Sequence, residues 1–377
     1  MCDLTLIREA VYPNIYLTNL RSIKNKFDEF QAHISVINPA VIVCTETWLD
    51  SSAPTHAFDL FGYDLFRADR IKNSARDGEA IWARKRFRAT PVIMPSLCQA
   101  EVCTIQISSM QLLISGLYLP PGMASYDFQA FQDTFAESLE SSLKLVSHKL
   151  NVAGDFNQYN DNFLIIEMSL RNIVHGPTRL NACLDRIYVD RRIFNKYDHN
   201  DVVIGPPIGN SDHNTVLAVS NEQLWHRVSK KHILHDFRDS NIYKFEQKFL
   251  SNDFTSFYSC VDIDSKCEFF GKCVKEALEV IPKKTVFISN TDAPRMTLLI
   301  KDLINRRWDA YRSRKWTVFE ALKVKVRKEI FKAKKRFFDK RSESVKGLWS
   351  FVDTERGASK PDSSFDPKFK RIHNKSP

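Results

Sequence analysis

The 377-residue chain lacks any run of the roughly 18 to 20 consecutive apolar residues that a membrane-spanning helix requires. Its N-terminus, MCDLTLIREAVYPN, lacks the basic-then-apolar order of a secretory leader. A nuclear or cytoplasmic protein is therefore expected, neither secreted nor membrane-bound. No pair of cysteines stands at the C-x-x-C spacing of zinc sites; the eight lie scattered at positions 2, 44, 98, 103, 183, 260, 267 and 273. They read as free thiols, mostly core filler. Cys260, Cys267 and Cys273 cluster without a histidine at ligand spacing, which favours thiols over a structural metal. No internal repeat is found.

What is there is enough apolar material for a soluble core, with a 43% hydrophobic fraction and a mean hydropathy of -0.32. The formal net charge of +10 is unevenly spread. Residues 1–220 carry 20 of the 55 Lys+Arg and 24 of the 45 Asp+Glu, net -4, so the remainder is at net +14. That split suggests a carboxylate-rich catalytic part joined to a part that holds a polyanion.

In the first half, short β-branched runs alternate with polar loops and helical patterns, the mark of a layered α/β domain. Strands are predicted at 15–18, 41–44, 101–107, 111–118, 150–153, 186–189 and 215–219, and helices at 23–37 and 128–146. Beyond residue 219 the text changes. A Phe-rich helical stretch spans 243–281, and 282–294 reads as a linker. Ile300, Ile304, Trp308 and Tyr311, then Phe319, Leu322, Val326, Ile330 and Phe337, mark two amphipathic helices with basic polar faces, broken near Arg314. The division expected is 1–220 catalytic, 221–294 helical connector and linker, 295–350 basic helices and 351–377 disordered tail.

Hydrolysis of a phosphodiester needs a metal, carboxylates to hold it, a polarised water and donors for the phosphoryl oxygens. Candidates sit at strand ends, where rigid scaffolds place active sites. They are Asn19, Glu46 at the end of the apolar strand in VIVCTETWL, Tyr118, and Asp155 and Asn157 in Gly154-Asp155-Phe156-Asn157. Asp185 could fix the tautomer of a histidine, and Ser211-Asp212-His213 enters the last strand. Singly, each has a bland reading. GDFN suits an ordinary turn, SDH a cap, Glu46 a solvated strand end and Tyr118 a packed aromatic.

Their order, Asn, Glu, Tyr, GDxN, Asp, SDH, closely resembles the endonuclease/exonuclease/phosphatase superfamily over about residues 14–219. That resemblance implies a four-layer sandwich of two packed mixed β-sheets flanked by helices, here followed by a basic helical extension. It makes Glu46 the principal metal ligand for Mg²⁺ or Mn²⁺, with Asn19 and Asp155 near the metal or the attacking water. Asn157 and Tyr118 become donors to the scissile phosphate. His213 contacts the phosphate or helps activate the water, oriented by Asp185, with Asp212 nearby. Within the superfamily, NLRSIKNKFDEF, TETWL, GYDLFRADR, YLPPG and PTRLNACLDRIYVD are similar to jockey-like non-LTR retrotransposon endonucleases, which nick target DNA. PRMTLLIKDLINRRWDAYRSRK and LWSFVDTERG resemble the connector these elements place before reverse transcriptase; no Tyr-x-Asp-Asp follows, so an open reading frame truncated before the polymerase, or a gene-model fragment, is expected.

Two departures from the pattern stand out. Arg76-Asp77-Gly78-Glu79-Ala80 replaces a glycine triplet and adds two carboxylates beside the expected DNA face, and Leu119 replaces an arginine after the tyrosine. DNA is the expected substrate, with the basic helices as the polyanion site and RNA as an alternative ligand there. Their candidate residues are Arg306, Arg307, Arg312, Arg314, Lys325, Arg327, Lys328, Lys332, Lys334, Lys335 and Arg336. On the charge split alone, a chain ending at Ser220 should nick at saturating enzyme but bind DNA more weakly. The rival readings are a repair-type apurinic endonuclease or other phosphodiesterase or phosphatase of the same fold, and a non-catalytic nucleic-acid-binding protein.

Overall fold

The computed structural model describes residues 4–10, 12–69, 78–95, 97, 99–143, 148–197, 202–221, 223–288 and 295–343. Along the chain run β1 (Leu4–Ala10), β2 (Ile15–Asn19), α1 (Phe27–Ile37), β3 (Val41–Thr45), β4 (Tyr63–Ala68), β5 (Glu79–Arg84), β6 (Thr90–Val92), β7 (Glu101–Ile107) and β8 (Leu112–Tyr118). Then follow α2 (Ser125–Leu143), β9 (Lys149–Asp155), β10 (Leu170–Asn172), β11 (Asp185–Asp190), β12 (Val203–Gly205) and β13 (Thr215–Ala218). The remainder holds β14 (Gln223–His235), α3 (Asp239–Leu250), α4 (Thr255–Ser259), α5 (Ile263–Glu279), β15 (Lys283–Ile288), α6 (Leu298–Arg312) and α7 (Trp316–Ser342). No described helix is long and apolar enough to cross a membrane.

Two compact units result, Met1–Arg8 with Trp225–Asn290, and Glu9–Leu224 with Thr291–Pro377. The smaller holds a sheet in the order β1-β14-β15. Its helices α3 and α5 meet through phenylalanines, with Phe249 and Phe270 edge to face at 5.6 Å. The stretch read as a linker contains β15, paired antiparallel to β14 with Lys284 opposite Leu234. Thr285-Val286-Phe287-Ile288 has the β-branched and aromatic content of a strand, but the prolines on either side suggest a loop until a partner strand is known.

The larger unit contains two six-stranded mixed sheets, ordered β12-β13-β2-β3-β5-β4 and β10-β11-β9-β8-β7-β6. In each, one parallel pair (β2 with β3, β8 with β9) sits among antiparallel neighbours. Alternate residues face opposite sides of a strand. Ile15, Leu17, Val41, Val43 and Ile81 of the first sheet thus meet Ile105, Ile114, Ala153 and Ile187 of the second in a central core. The reverse faces are covered too. Tyr16, Ile42 and Trp82 pack under Phe30 and Ile34 of α1, while Leu113, Leu117 and Val152 pack under Phe131, Phe135 and Leu139 of α2. This is the four-layer arrangement expected.

Helix α1 begins four residues later than its periodicity suggests. Residues 23–26 instead form a turn closed by Lys26 N–H to the Ile23 carbonyl, with Lys26 (φ -120°) as the N-cap of α1. The C-terminal helices α6 and α7 pack on α1, where Ala32 joins Ile300, Leu303, Ile304, Trp308, Phe319, Leu322 and Val326 in a fourth core cluster.

Candidate active site

Strand register assembles the site. Asp155 at the end of β9 lies beside Tyr118 of β8 on one side and Asp185 of β11 on the other. In the facing sheet Asn19 ends β2 beside Thr45, which places Glu46 just beyond β3. The Asn19 side-chain amide, fully buried, donates to Glu46 Oε1 at 2.8 Å and to Asp155 Oδ2 at 2.9 Å, linking the two sheets. Glu46 (φ 48°) and Asn157 (φ 46°) both adopt left-handed backbone conformations, as do Arg21, Ser22 and Trp48. Non-glycine residues adopt that conformation infrequently; elsewhere in this chain Asn38, Arg88 and Gln111 do so as helix C-caps, whereas at the site backbone bonds from neighbouring segments hold it. Here those bonds include Leu20 N–H to Thr45 O and Thr47 N–H to Gly78 O.

His213 is buried and its Nδ1 lies 2.8 Å from Asp185 Oδ2 and 3.9 Å from Asp155 Oδ2. Burial pulls its pKa down, but the bond to Asp185 and the charges of Asp185, Asp155 and Asp212 outweigh this and hold it above the ordinary value. Asp155 moves the same way. Burial first, and then the neighbouring Asp185 charge, push its carboxyl up to about 7, against the opposing pull of His213, the Asn157 N–H and Asn19. Asp185 Oδ1 is buried without a hydrogen-bond partner. Among the described residues, Asp155, Asp185 and His213 bring ligand-type atoms within 4.8 Å of one another. Crowded, partly unsatisfied carboxylates with hard oxygen donors fit Mg²⁺ or Mn²⁺, whose charge would relieve the repulsion between them. Glu46 lies outside that trio and joins it through the Asn19 amide.

Other candidates fall differently. Asn157 donates its backbone N–H to Asp155 Oδ1 at 3.0 Å and its side-chain amide to the Leu119 carbonyl at 2.7 Å. Leu119 itself is buried in the core under α2, so packing stands where the arginine would have been. Tyr118 is buried. Asp212 turns away from the carboxylates to Arg21 at 3.0 Å and Arg179 at 2.7 Å. Arg76 and Asp77 lie outside the described residues. Glu79, expected beside a DNA face, is instead buried between the sheets with both oxygens unpartnered, its Oε1 filling the space that a Cβ on Gly116 would take. Burial, then Glu101 and Asp155, push its pKa well above the ordinary value.

Two supporting residues, Thr178 in PTRLNACLDRIYVD and Ser211 in Ser211-Asp212-His213, carry no role in the sequence reading. Thr178 Oγ1 accepts the backbone N–H groups of Leu184 and Asp185, and its carbonyl accepts that of Asn214 beside His213. Ser211 Oγ donates to the Asn19 carbonyl at 2.6 Å and accepts the His213 N–H. Short hydroxyl residues in loops carry no signal until the partner backbone is located.

The basic helices also need correction. Arg307 does not lie on a polar face: it is fully buried, bonded to Glu29 at 2.6 Å and His33 at 3.2 Å. Lys334 pairs with Asp28, Lys332 with Glu329, and Arg327 with Glu29 and Asn210. Arg306 is half-buried, whereas Arg312, Arg314, Lys325, Lys328, Lys335 and Arg336 are exposed. The cysteines are free where described, with Cys44, Cys103 and Cys273 buried, Cys183 and Cys260 half-buried and Cys267 exposed.

No family model and no curated protein matches the chain. Solved structures do. A 3'-5' exonuclease from Neisseria meningitidis shares 19% identity, with 55% of this chain and 99% of that one covered and a TM-score of 0.43. An AP endonuclease from Leishmania major shares 14%, covering 57% and 87% at a TM-score of 0.44. The endonuclease domain of a telomere-specific non-LTR retrotransposon shares 15%, covering 55% and 97% at 0.41.

Proposed function

We propose that the chain is a divalent-metal-dependent endonuclease that hydrolyses DNA phosphodiester bonds, nicking target DNA as the endonucleases of non-LTR retrotransposons do. The observation that carries this reading is the convergence of Glu46, Asn19, Asp155, Asp185 and His213 at strand ends of both sheets. Glu46 and Asp155 would hold the metal, kept in place by the Asn19 amide between them. Bound there, Mg²⁺ or Mn²⁺ supplies neutralisation of phosphoryl charge and a more acidic water.

The remaining work falls to the chain's own groups. Asp185 accepts from His213 Nδ1, which sets the ring's orientation and leaves Nε2 to meet the phosphate or the attacking water. Asp155 sits within reach of both His213 and Asn19 and so shares in placing that water. Asn157 has a second amide hydrogen besides the one given to Leu119, and Tyr118 a phenol; both are donors for phosphoryl oxygens.

The test is conversion of supercoiled plasmid to open circles in Mg²⁺, abolished by EDTA and by Glu46→Ala. Cleavage confined to duplexes with an abasic site would favour the repair-type reading. Binding without cleavage would favour a non-catalytic nucleic-acid-binding remnant, and full nicking by Glu46→Ala would overturn the site.

A further inference from the structure

His213 belongs to the segment between β12, which ends at Gly205, and β13, which begins at Thr215. Outside the nuclease motifs, the C-terminal helices touch this segment at two places. At its start, Gly205 lies under the indole of Trp308 in α6, and a Cβ added there would overlap Cη2 of that ring. Only glycine permits so close an approach. Further on, Arg327 of α7 donates Nη2 to Asn210 Oδ1 at 2.7 Å, three residues before His213.

The same guanidinium is anchored from behind. Arg327 Nε donates to Glu29 Oε2 at 3.2 Å, and the other oxygen of Glu29 takes the buried Arg307 at 2.6 Å. Glu29 is itself 7% exposed and lies on α1, so the anchor is part of a packed helix interface. Between these contacts, Gly209 (φ +60°) rests against the stem of Lys26, whose ammonium holds the carbonyls of Leu20 and Arg21 next to Asn19. The loop that carries His213 is therefore gripped by α6, α7 and the start of α1 together.

We propose that Arg327, acting through Asn210, is a positioning residue for His213, and that the C-terminal helical pair is part of the catalytic apparatus as well as a basic surface. The inference rests on the nuclease reading above. Its physical basis is that a reacting group displaced by about 1 Å can cost on the order of 100-fold in rate even when the change lies away from the chemistry. The bond to Asn210 is exposed and adds little to stability, so a loss of rate on breaking it reports orientation and not unfolding.

The experiment uses the full chain, with Arg327→Ala, Arg327→Lys, Asn210→Ala and the Arg327→Ala/Asn210→Ala double variant, assayed for plasmid nicking in Mg²⁺ below their melting temperatures. Each single alanine variant should lower kcat about tenfold or more with KM for DNA nearly unchanged. The double variant should be no slower than the worse single, because both remove the same hydrogen bond. Lysine should not rescue, since it lacks the fork that reaches Glu29 and Asn210 at once. Hydrogen–deuterium exchange of the 206–214 segment should quicken in all four, a readout independent of activity. A raised KM and flatter salt dependence in Arg327→Ala, rescued by lysine and absent from Asn210→Ala, would make Arg327 a phosphate ligand and overturn the proposal. Unchanged exchange and unchanged kcat would overturn it as well. If the wild-type chain does not nick, the nuclease reading fails on its own, and the exchange arm alone then decides whether Arg327 holds the loop.

Discussion

Asp185 Oδ2 and His213 Nδ1 are 2.8 Å apart, and both side chains are almost wholly buried. Asp185 begins β11 and His213 leads into β13, strands of different sheets, so this bond closes the site across the sandwich. A carboxylate there orients the ring and favours its charged form. Asp185→Asn keeps the shape but removes the charge that favours the protonated ring and lets the amide select the wrong tautomer, and His213→Ala removes the ring. Each should cut plasmid nicking by about a hundredfold or more. The double variant should be little worse than His213→Ala, as expected of groups that act as a unit.

The crowded carboxylates make stability depend on pH and on metal. Asp155 titrates near 7 in the fold against an ordinary 3.8, and His213 is also held above its ordinary value. A raised pKa means the native state keeps a proton that the unfolded chain releases, so stability is lost as pH rises through the folded value. Without divalent metal, the thermal midpoint should decline by several degrees between about pH 5 and 8. Millimolar Mg²⁺ should recover most of the loss at pH 8, because the cation replaces the proton. Asp212 and Asp190 run oppositely. Despite burial, Arg21, Arg179 and Arg192 hold them below the ordinary value, so their contribution is present above about pH 4 and fails below it. A metal-free midpoint flat from pH 5 to 8 would contradict the account.

Glu79 offers a stability test of its own. Both its oxygens are buried without partners, and the nearest charges are the like-signed Glu101 and Asp155. Glu79→Gln retains the shape that fits over Gly116 and removes the titration. Because a raised folded pKa makes stability fall as pH rises, the substitution should make the metal-free midpoint decline less between pH 5 and 8. Midpoints by differential scanning calorimetry at the two pH values would decide.

Electrostatics of the C-terminal helices can be separated from their packing. Lys325, Lys328, Lys335 and Arg336 are exposed, and replacing all four with alanine should weaken duplex binding and flatten its salt dependence. The slope should change by roughly 0.9 for each phosphate that is no longer neutralised. Fluorescence anisotropy at several salt concentrations measures it. An unchanged slope would make these residues an ordinary solvated face.

Packing, by contrast, should appear in stability. Trp308 lies over Gly205 and beside His33, ring centroids 5.6 Å apart. Trp308→Ala should cost about 3 to 5 kcal/mol, as large-to-small core changes do. For the same reason a chain ending at Ser220 should nick poorly, since it uncovers the face of α1 around Ala32 and His33. That differs from what the charge split implies. Efficient nicking by such a chain would restore the simpler division of labour.

The sequence by itself determined a layered α/β domain and the order of the chemical groups, and the resemblance carried by that order implied two packed sheets. The short β-branched runs at Val41–Thr45 and Leu112–Tyr118 are local signals, and so is the placing of Asn19, Glu46 and Asp155 at or just past strand ends. It did not reveal strands whose patterns are short or interrupted, such as Thr90–Val92 and Lys283–Ile288, because their pairing partners supply most of the stabilisation. Only the tertiary structure decided which charges face solvent. Arg307 and Arg306 are neighbours of one type on one helix, yet Arg307 is buried against Glu29, 278 residues away, and Arg306 is half-buried. Glu79 reads as a surface acid beside a glycine but lies in the core, since its strand is flanked on both sides and its inward face meets Gly116 of the other sheet. Local pattern constrains backbone conformation within a few residues. The environment of a charge depends on what the fold brings against it from hundreds of residues away.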